Sequence, residues 1–297
     1  MAEYRTMQTG TSPFRFEPGE RLVEANTGSP NTIRLSELDR LLLGVINRVL
    51  IVNGSLAHRY LEEAGMRESS LEDIRACLRR LADNGYLNRL RFRTAQGQSS
   101  LQAYTLAELG RRALENGGRI ALRTGYVEHM DSLHAKRQLA ALQFVIAHGY
   151  VPDAARTSYG RLIRELQDAT GSHLFRSQAV IRTQEKTVFV EVVRDNPGSS
   201  EELARKLERI QATLRDGNRL NLMTEGEFEV VVVAESYPHM TRLMGEVEAA
   251  VPPNLRESLF FTNDQDTFFR SGRLNVLPEK RNTAGKILGK LVDFFRC

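Results

Sequence analysis

Apolar residues along this chain fall into three regimes: helical spacing, strict alternation and short continuous runs. The first opens at "LSELDRLLLGVINRVLIVNGS". There Leu38, Leu41, Leu42, Val45, Ile46 and Val49 recur at helical spacing after Ser36, a residue type that caps helix N-termini. Asn53-Gly54 predicts the stop. "SLAHRYLEEAG" predicts a short second helix ended by Gly65. "SSLEDIRACLRRLADNGYL" predicts a third, capped by Ser69 or Ser70, buried along Leu71, Ile74, Leu78 and Leu81, and ended by Gly85. The period then drops to two in "YLNRLRFR" and "SLQAYTL", strands joined by the turn-rich "TAQGQS". A helix over "AELGRRALEN" closes the region before Gly117-Gly118.

Helices, a two-stranded wing and a closing helix make a winged helix-turn-helix over residues 35–118, with the third helix placed to enter a DNA major groove. Residues 1–34, rich in Gly, Pro, Ser, Thr and Asn without periodicity, predict a disordered arm. Residues 119–277 predict a second, α/β domain. A long helix runs over "EHMDSLHAKRQLAALQFVIAHGY" and another over "GRLIRELQDAT". "FRSQAVIRT" and "TVFVEVVRD" form a hairpin, "SSEELARKLERIQATL" a capped helix, and "FEVVVVAE" a buried strand. "PHMTRLMGEVEAAV" and "SLFFTND" add a helix and a last strand, so the class is α+β or α/β with a mixed sheet flanked by helices. Residues 278–297 read as a basic amphipathic helix that docks on the domain or on a second subunit.

The net charge of +4 does not by itself announce nucleic acid, so placement decides. Every basic residue before Lys136 is an arginine, suited to phosphate and guanine, although a GC-rich genome produces the same bias. On the third helix Arg75, Arg79 and Arg80 lie off the apolar stripe. On the first wing strand Arg89, Arg91 and Arg93 alternate with Leu90 and Phe92, so they share one face. No acidic residue interrupts Leu87 to Ala107, and Gln96 and Gln98 flank the tip at Gly97. This face suits the phosphates of double-stranded DNA. Glu72 and Asp73 complement the helix dipole but repel DNA, which leaves base contacts to Ser69, Ser70 and Arg75 onward.

Other chemistry finds little support. No run is long and apolar enough to span a membrane, and "MAEYRTMQTGTSPFRFEPGE" is not a signal peptide, so the expected location is cytoplasmic. Cys77 and Cys297 give neither a disulfide framework nor metal-site spacing, and His129 and His134 lie on different sides of their helix. There is no phosphate loop and no nucleophile–base spacing; no cofactor is expected.

One residue resists this reading. Glu191 sits inside "KTVFVEVVRD", a strand otherwise apolar on both faces, where a carboxylate must be paired, protonated or metal-bound. The winged region, the hairpin strand bearing "EV" and the helix "EELARKLERIQA" together resemble the replication-relaxation proteins of bacterial plasmids and integrative elements, over roughly Leu35 to Val276. The resemblance implies a winged DNA-binding domain joined to a domain related to restriction endonucleases. It also implies a role in transcriptional control, replication or transfer of a mobile element. The endonuclease pattern needs an Asp on one strand and Glu-x-Lys on the next, to hold magnesium and neutralise charge. Glu191 matches the Glu, but Gln178 stands at the Asp position and Val193 at the Lys position. The expectation is therefore a domain without catalysis or metal, serving dimerisation, a protein partner or extra contact with the DNA backbone. A magnesium nuclease is the alternative, and it would have to recruit Glu165 or Asp195 beside Glu191. A winged protein reading paired half-sites is expected to be a homodimer.

Overall fold

The structure, a computed structural model, describes residues 12–25, 30–66, 69–118, 121, 130–148, 157–159, 177–182, 186–215, 227–248, 251, 253–268, 273–276 and 292–293. The protein is mixed α/β with two sheets, and it divides into two compact units. One is Phe16–Leu142; the other combines Met1–Arg15 with Gln143–Cys297. The division falls after Leu142 rather than at Gly118, where the sequence placed it.

In the N-terminal unit, strand β1 (Arg21–Ala25) precedes helix α1 (Glu37–Val49), strand β2 (Ile51–Val52), helices α2 (Gly54–Glu63) and α3 (Leu71–Asp83), strands β3 (Leu87–Arg93) and β4 (Ser99–Leu106), and helix α4 (Glu108–Asn116). Capping boxes fix the starts of α1 and α3: Ser36 with Asp39, and Ser70 with Asp73. Their apolar stripes meet in a core containing Leu42, Leu43, Ile46, Ile74, Leu78 and Leu81, closed by Leu87, Phe92 and Leu101 from the sheet.

Two elements depart from expectation. Helix α1 ends at Val49, not Asn53: Leu50 takes φ 68, and Ile51-Val52 pair with Thr105 and Tyr104 of β4. A non-glycine residue at positive φ costs about 1–3 kcal/mol, so the pairing and the complete burial of Ile51 and Val52 outweigh local helix propensity. Asn53 does not stop α1; it caps α2, its side-chain oxygen accepting from the Leu56 amide at 2.8 Å. The second departure is in the supposed arm. Strand β1 pairs antiparallel with β3, completing a sheet ordered β1-β3-β4-β2. The first part of helix α5 (Ser132–Ala147) belongs to this unit, where Lys136 and Glu20, both almost wholly buried, form an ion pair at 2.6 Å.

In the C-terminal unit a sheet runs β11-β10-β9-β8-β7-β6-β5. Strands β5 (Thr157–Tyr159), β6 (Ala179–Arg182) and β7 (Lys186–Val192) form an antiparallel meander. Helix α6 (Ser199–Arg215) connects β7 to the parallel β8 (Glu227–Ala234), and α7 (Tyr237–Glu248) connects β8 to the parallel β9 (Leu259–Asn263). A short α8 (Pro253–Arg256) lies between α7 and β9, and α9 (Asp264–Phe268) follows β9. Strands β10 (Arg273–Val276) and β11 (Val292–Asp293) add antiparallel edges. Leu203, Leu207, Ile210, Met240, Leu243 and Val247 of α6 and α7 pack on Phe189, Val230, Val232 and Phe261 of one sheet face. Phe14 of the supposed arm is also buried. Of the C-terminal amphipathic helix, only Val292-Asp293 lies within the described residues, and it is strand, not helix.

Candidate nucleic-acid interface and the buried carboxylate

Antiparallel neighbours share a face, so register places the arginines. Arg89, Arg91 and Arg93 pair with Ala25, Val23 and Arg21 on β1, and with Tyr104, Gln102 and Ser99 on β4. All three point away from Leu90 and Phe92, which are buried, as the period-two pattern predicts. Strand β1 contributes a fourth arginine, Arg21, and an exposed Val23. Arg21 lies in "RLVEA", within the stretch whose composition predicts a disordered arm, so it is not among the predicted contacts. The alternation Leu22, Glu24 against Arg21, Val23 was a weak signal of the same kind as the wing's. Gln96, Gly97 and Gln98 lie exposed in the turn, with Gly97 at φ 80 and the Thr94 amide donating to the Gln98 carbonyl at 2.9 Å.

The predicted contacts are not equivalent. Arg80 donates to Asp39, which is fully buried and also accepts from the Cys77 thiol at 2.8 Å and from Ser36. Burial alone would raise the Asp39 pKa, but the hydrogen bonds from Cys77, Ser36 and Arg80 outweigh it and hold the carboxyl below its ordinary value. Burial and the adjacent carboxylate push Cys77 up to about 12, which leaves it an inert core thiol. Arg80 thus ties α3 to α1 through one guanidinium nitrogen, with about half of its side chain still exposed. Arg89 is held by Asp83 at 2.6 Å and is mostly buried. Arg75 pairs with Glu72 at 2.8 Å, its stem against Gly54 at the start of α2. The Ser70 hydroxyl serves the cap of α3, and Ser69 is half-buried beside it. Arg21, Arg79, Arg91 and Arg93 have no ion-pair partner among the described residues. Arg79 adjoins the sheet face: its carbonyl accepts from Arg89, and both guanidinium charges act on the Tyr104 hydroxyl, whose pKa burial raises against them.

Glu191 is also accounted for. It lies on the sheet face that carries α6, where Lys206 forms an ion pair with one carboxylate oxygen and the Ser177 hydroxyl donates to the other. The expected partners were Arg182 and Lys186 of the hairpin; the charge comes instead from Lys206, about two turns into α6 and seven residues after Ser199. Gln178 uses its side-chain oxygen to accept from the Val192 amide at 2.9 Å, and Val193 is buried in the core. Asp195 pairs with Arg242 across the strand end, well apart in role from Glu191. Glu165 lies outside the described residues. No cluster of three or more His, Cys, Asp or Glu side chains among the described residues is arranged to hold a metal ion.

Beyond the strand ends, Arg194 and Asp264 form a doubly hydrogen-bonded ion pair with no exposure on either side. Ser12 donates to the same carboxylate. Nearby, His239 accepts from the Glu235 amide at 3.3 Å through Nδ1. Burial pushes His239 and His148, both in this unit, down to about 4. The unfolded chain therefore binds more protons between about pH 6.5 and pH 4. The stability these neutral rings confer is complete above 6.5 and is lost as pH falls toward 4. The urea midpoint of the C-terminal unit should accordingly drop between pH 7.5 and about pH 5; an unchanged midpoint would mean that the rings are solvated.

No helix of the described residues is long and apolar enough to cross a membrane. Compared with family models, curated proteins and solved structures, the chain finds no match in any of the three.

Proposed function

We propose that this protein binds double-stranded DNA through a winged helix-turn-helix in its N-terminal unit. In this reading α2 and α3 are the helix-turn-helix, β3 and β4 are the wing, and the protein acts as a homodimer in transcriptional control, replication or transfer of a plasmid or mobile element. The observation that carries the reading is the single-sign face formed by Arg21, Arg91 and Arg93 beside Arg79. A solvated strand face ordinarily mixes its signs, whereas phosphate contact favours arginine without acid. Arg79, on the outer side of α3, is then the residue to read bases, and the wing arginines hold the backbone.

The C-terminal unit, in this reading, has an endonuclease-like ancestry and works without metal chemistry, as a dimerisation or partner-binding domain. What supports it is that Glu191 is occupied by Lys206 and Ser177, while its two companion positions hold Gln178 and Val193.

The test is equilibrium binding across a salt series. Neutralising Arg21, Arg91 and Arg93 together should weaken binding to all sequences alike and reduce the slope of log K against log salt by about 3, since each phosphate contact contributes about 0.9. Arg79→Ala should change sequence preference by about 1–3 kcal/mol. A triple variant with an unchanged slope would remove this face from the interface.

A further inference from the structure

The outer line of α3 is set by its buried one. Ile74, Cys77, Leu78 and Leu81 turn one side of the helix into the core. Glu72, Ala76 and Arg79, spaced by four and three residues, line up along the opposite side, and all three are exposed. A recognition helix lays this outermost line against the base edges and leaves its flanks to the phosphates.

Glu72 is the unexpected member of that line. Its charge repels phosphate, and the helix does not need it. Ser70 and Asp73 already cap α3, with the Asp73 carboxylate accepting from the Ser70 amide at 3.1 Å and from its hydroxyl at 2.6 Å. Asp73 therefore supplies the acid that the helix dipole favours. Glu72 stands outside the cap, its side chain 73% exposed, with one carboxylate oxygen on Arg75 at 2.8 Å. Arg75 packs its stem against Gly54 of α2, so the carboxylate it grips is anchored. The other oxygen of Glu72 has no hydrogen-bond partner among the described residues. An acid on the groove-facing line suits DNA at one kind of place, a base edge that donates. Further along, Arg79 spends Nε on the Arg75 carbonyl at 3.3 Å, and its terminal nitrogens have no hydrogen-bond partner among the described residues.

We propose that Glu72 reads a cytosine, its free oxygen accepting from the N4 amino group in the major groove. Cytosine presents only a donor there, whereas adenine presents its donor beside an N7 acceptor that repels a carboxylate. Arg79, two turns on and about 10 Å along the axis, then reaches a guanine about three base-pair steps away, at about 3.4 Å each. Ala76 between them carries only a methyl, which lets the helix approach the bases closely. The inference rests on α3 being the helix that enters the groove, and the test separates the two.

The experiment selects bound duplexes from a randomised library with the full-length parent and with Glu72→Gln. The parent is expected to enrich a half-site with a cytosine and a guanine about three steps apart. Glu72→Gln should change the preference at the cytosine alone, toward adenine, whose N6 and N7 match an amide, and leave the guanine in place. On the parent's selected site, N4-methylcytosine at that position keeps the base pair and replaces the groove-facing hydrogen. It should weaken the parent about tenfold and leave Glu72→Ala unchanged. Glu72 lies outside the cap and the core, so both replacements keep α3 intact. The same preference at every position in the parent and Glu72→Gln overturns the proposal. So does an altered position where the parent prefers any base but cytosine, or equal weakening of the parent and Glu72→Ala by the methylated site. A parent that binds duplex DNA but selects no motif also overturns it, while DNA binding stands. No binding at all at low salt removes the DNA reading itself, and the proposal with it.

Discussion

Asp264→Ala will cost the C-terminal unit about 3–5 kcal/mol, a large share of the stability of an ordinary domain. The carboxylate and the Arg194 guanidinium are both wholly buried. Both terminal nitrogens of Arg194 donate to Asp264, and the remaining contacts are carbonyls: Phe14 at 3.4 Å and Val233 at 3.4 Å. Deleting the acid strands a full positive charge where only neutral acceptors remain, and breaking one side of such a pair costs far more than the pair itself contributes. Ser12 loses its acceptor as well, so the N-terminal segment that carries Phe14 loosens with it. Ser12→Ala removes one hydrogen bond and should cost only about 1 kcal/mol. Urea unfolding followed in the C-terminal unit measures both; equal, small losses would mean that water reaches Arg194.

The other large effect is Gly110→Ala in α4. In an exposed helix interior this change gains about 1 kcal/mol from propensity. Here the added methyl would stand 2.3 Å from the Tyr86 carbonyl oxygen, 2.9 Å from Leu106 Cδ1 and 3.3 Å from Leu43 Cδ2. That carbonyl cannot yield easily, because it accepts from the Ala107 amide at 3.0 Å, the bond that starts α4 where β3 begins. Overpacking against backbone should reverse the sign and cost about 1–3 kcal/mol. Gly245 in α7 is the internal control: nothing lies within 4 Å of its added methyl, and Gly245→Ala should stabilise by up to about 1 kcal/mol. Thermal unfolding of the two variants checks the contrast, and a stabilised Gly110→Ala would show that α4 packs less closely than described.

Gly110 also marks where pattern reading succeeds and fails. Helices α1, α3 and α4 were legible because their stripes repeat over several turns and Ser36 and Ser70 announce their starts. The alternation in "NRLRFR" gave both the strand and its arginine face. Pairing over long sequence distance leaves no such local trace. Strand β2 is two residues at the end of a helical stripe, pulled out by β4, and β1 is a strand only because β3 presents an edge to it. The ionic partners were hidden for the same reason. Arg80 resembles any surface arginine of α3 until Asp39 is seen beneath it, and nothing local to "VFVEVV" points to Lys206. Asp264 and Arg194, 70 residues apart, meet only in the folded unit. Sequence periodicity thus located the faces, and tertiary contact decided which arginines on them remain available.

The measurement closest to the central claim is a footprint of the purified protein on the region upstream of its own coding sequence, at stated salt, with and without the arginines of the sheet face. Protection of two half-sites about 34–36 Å apart is expected, as a dimer of winged domains requires. Arg21, Arg91 and Arg93 neutralised together should abolish protection, while the variant unfolds in urea like the parent. Absence of any protected site there and genome-wide, at low salt where phosphate contacts are strongest, would contradict the DNA reading.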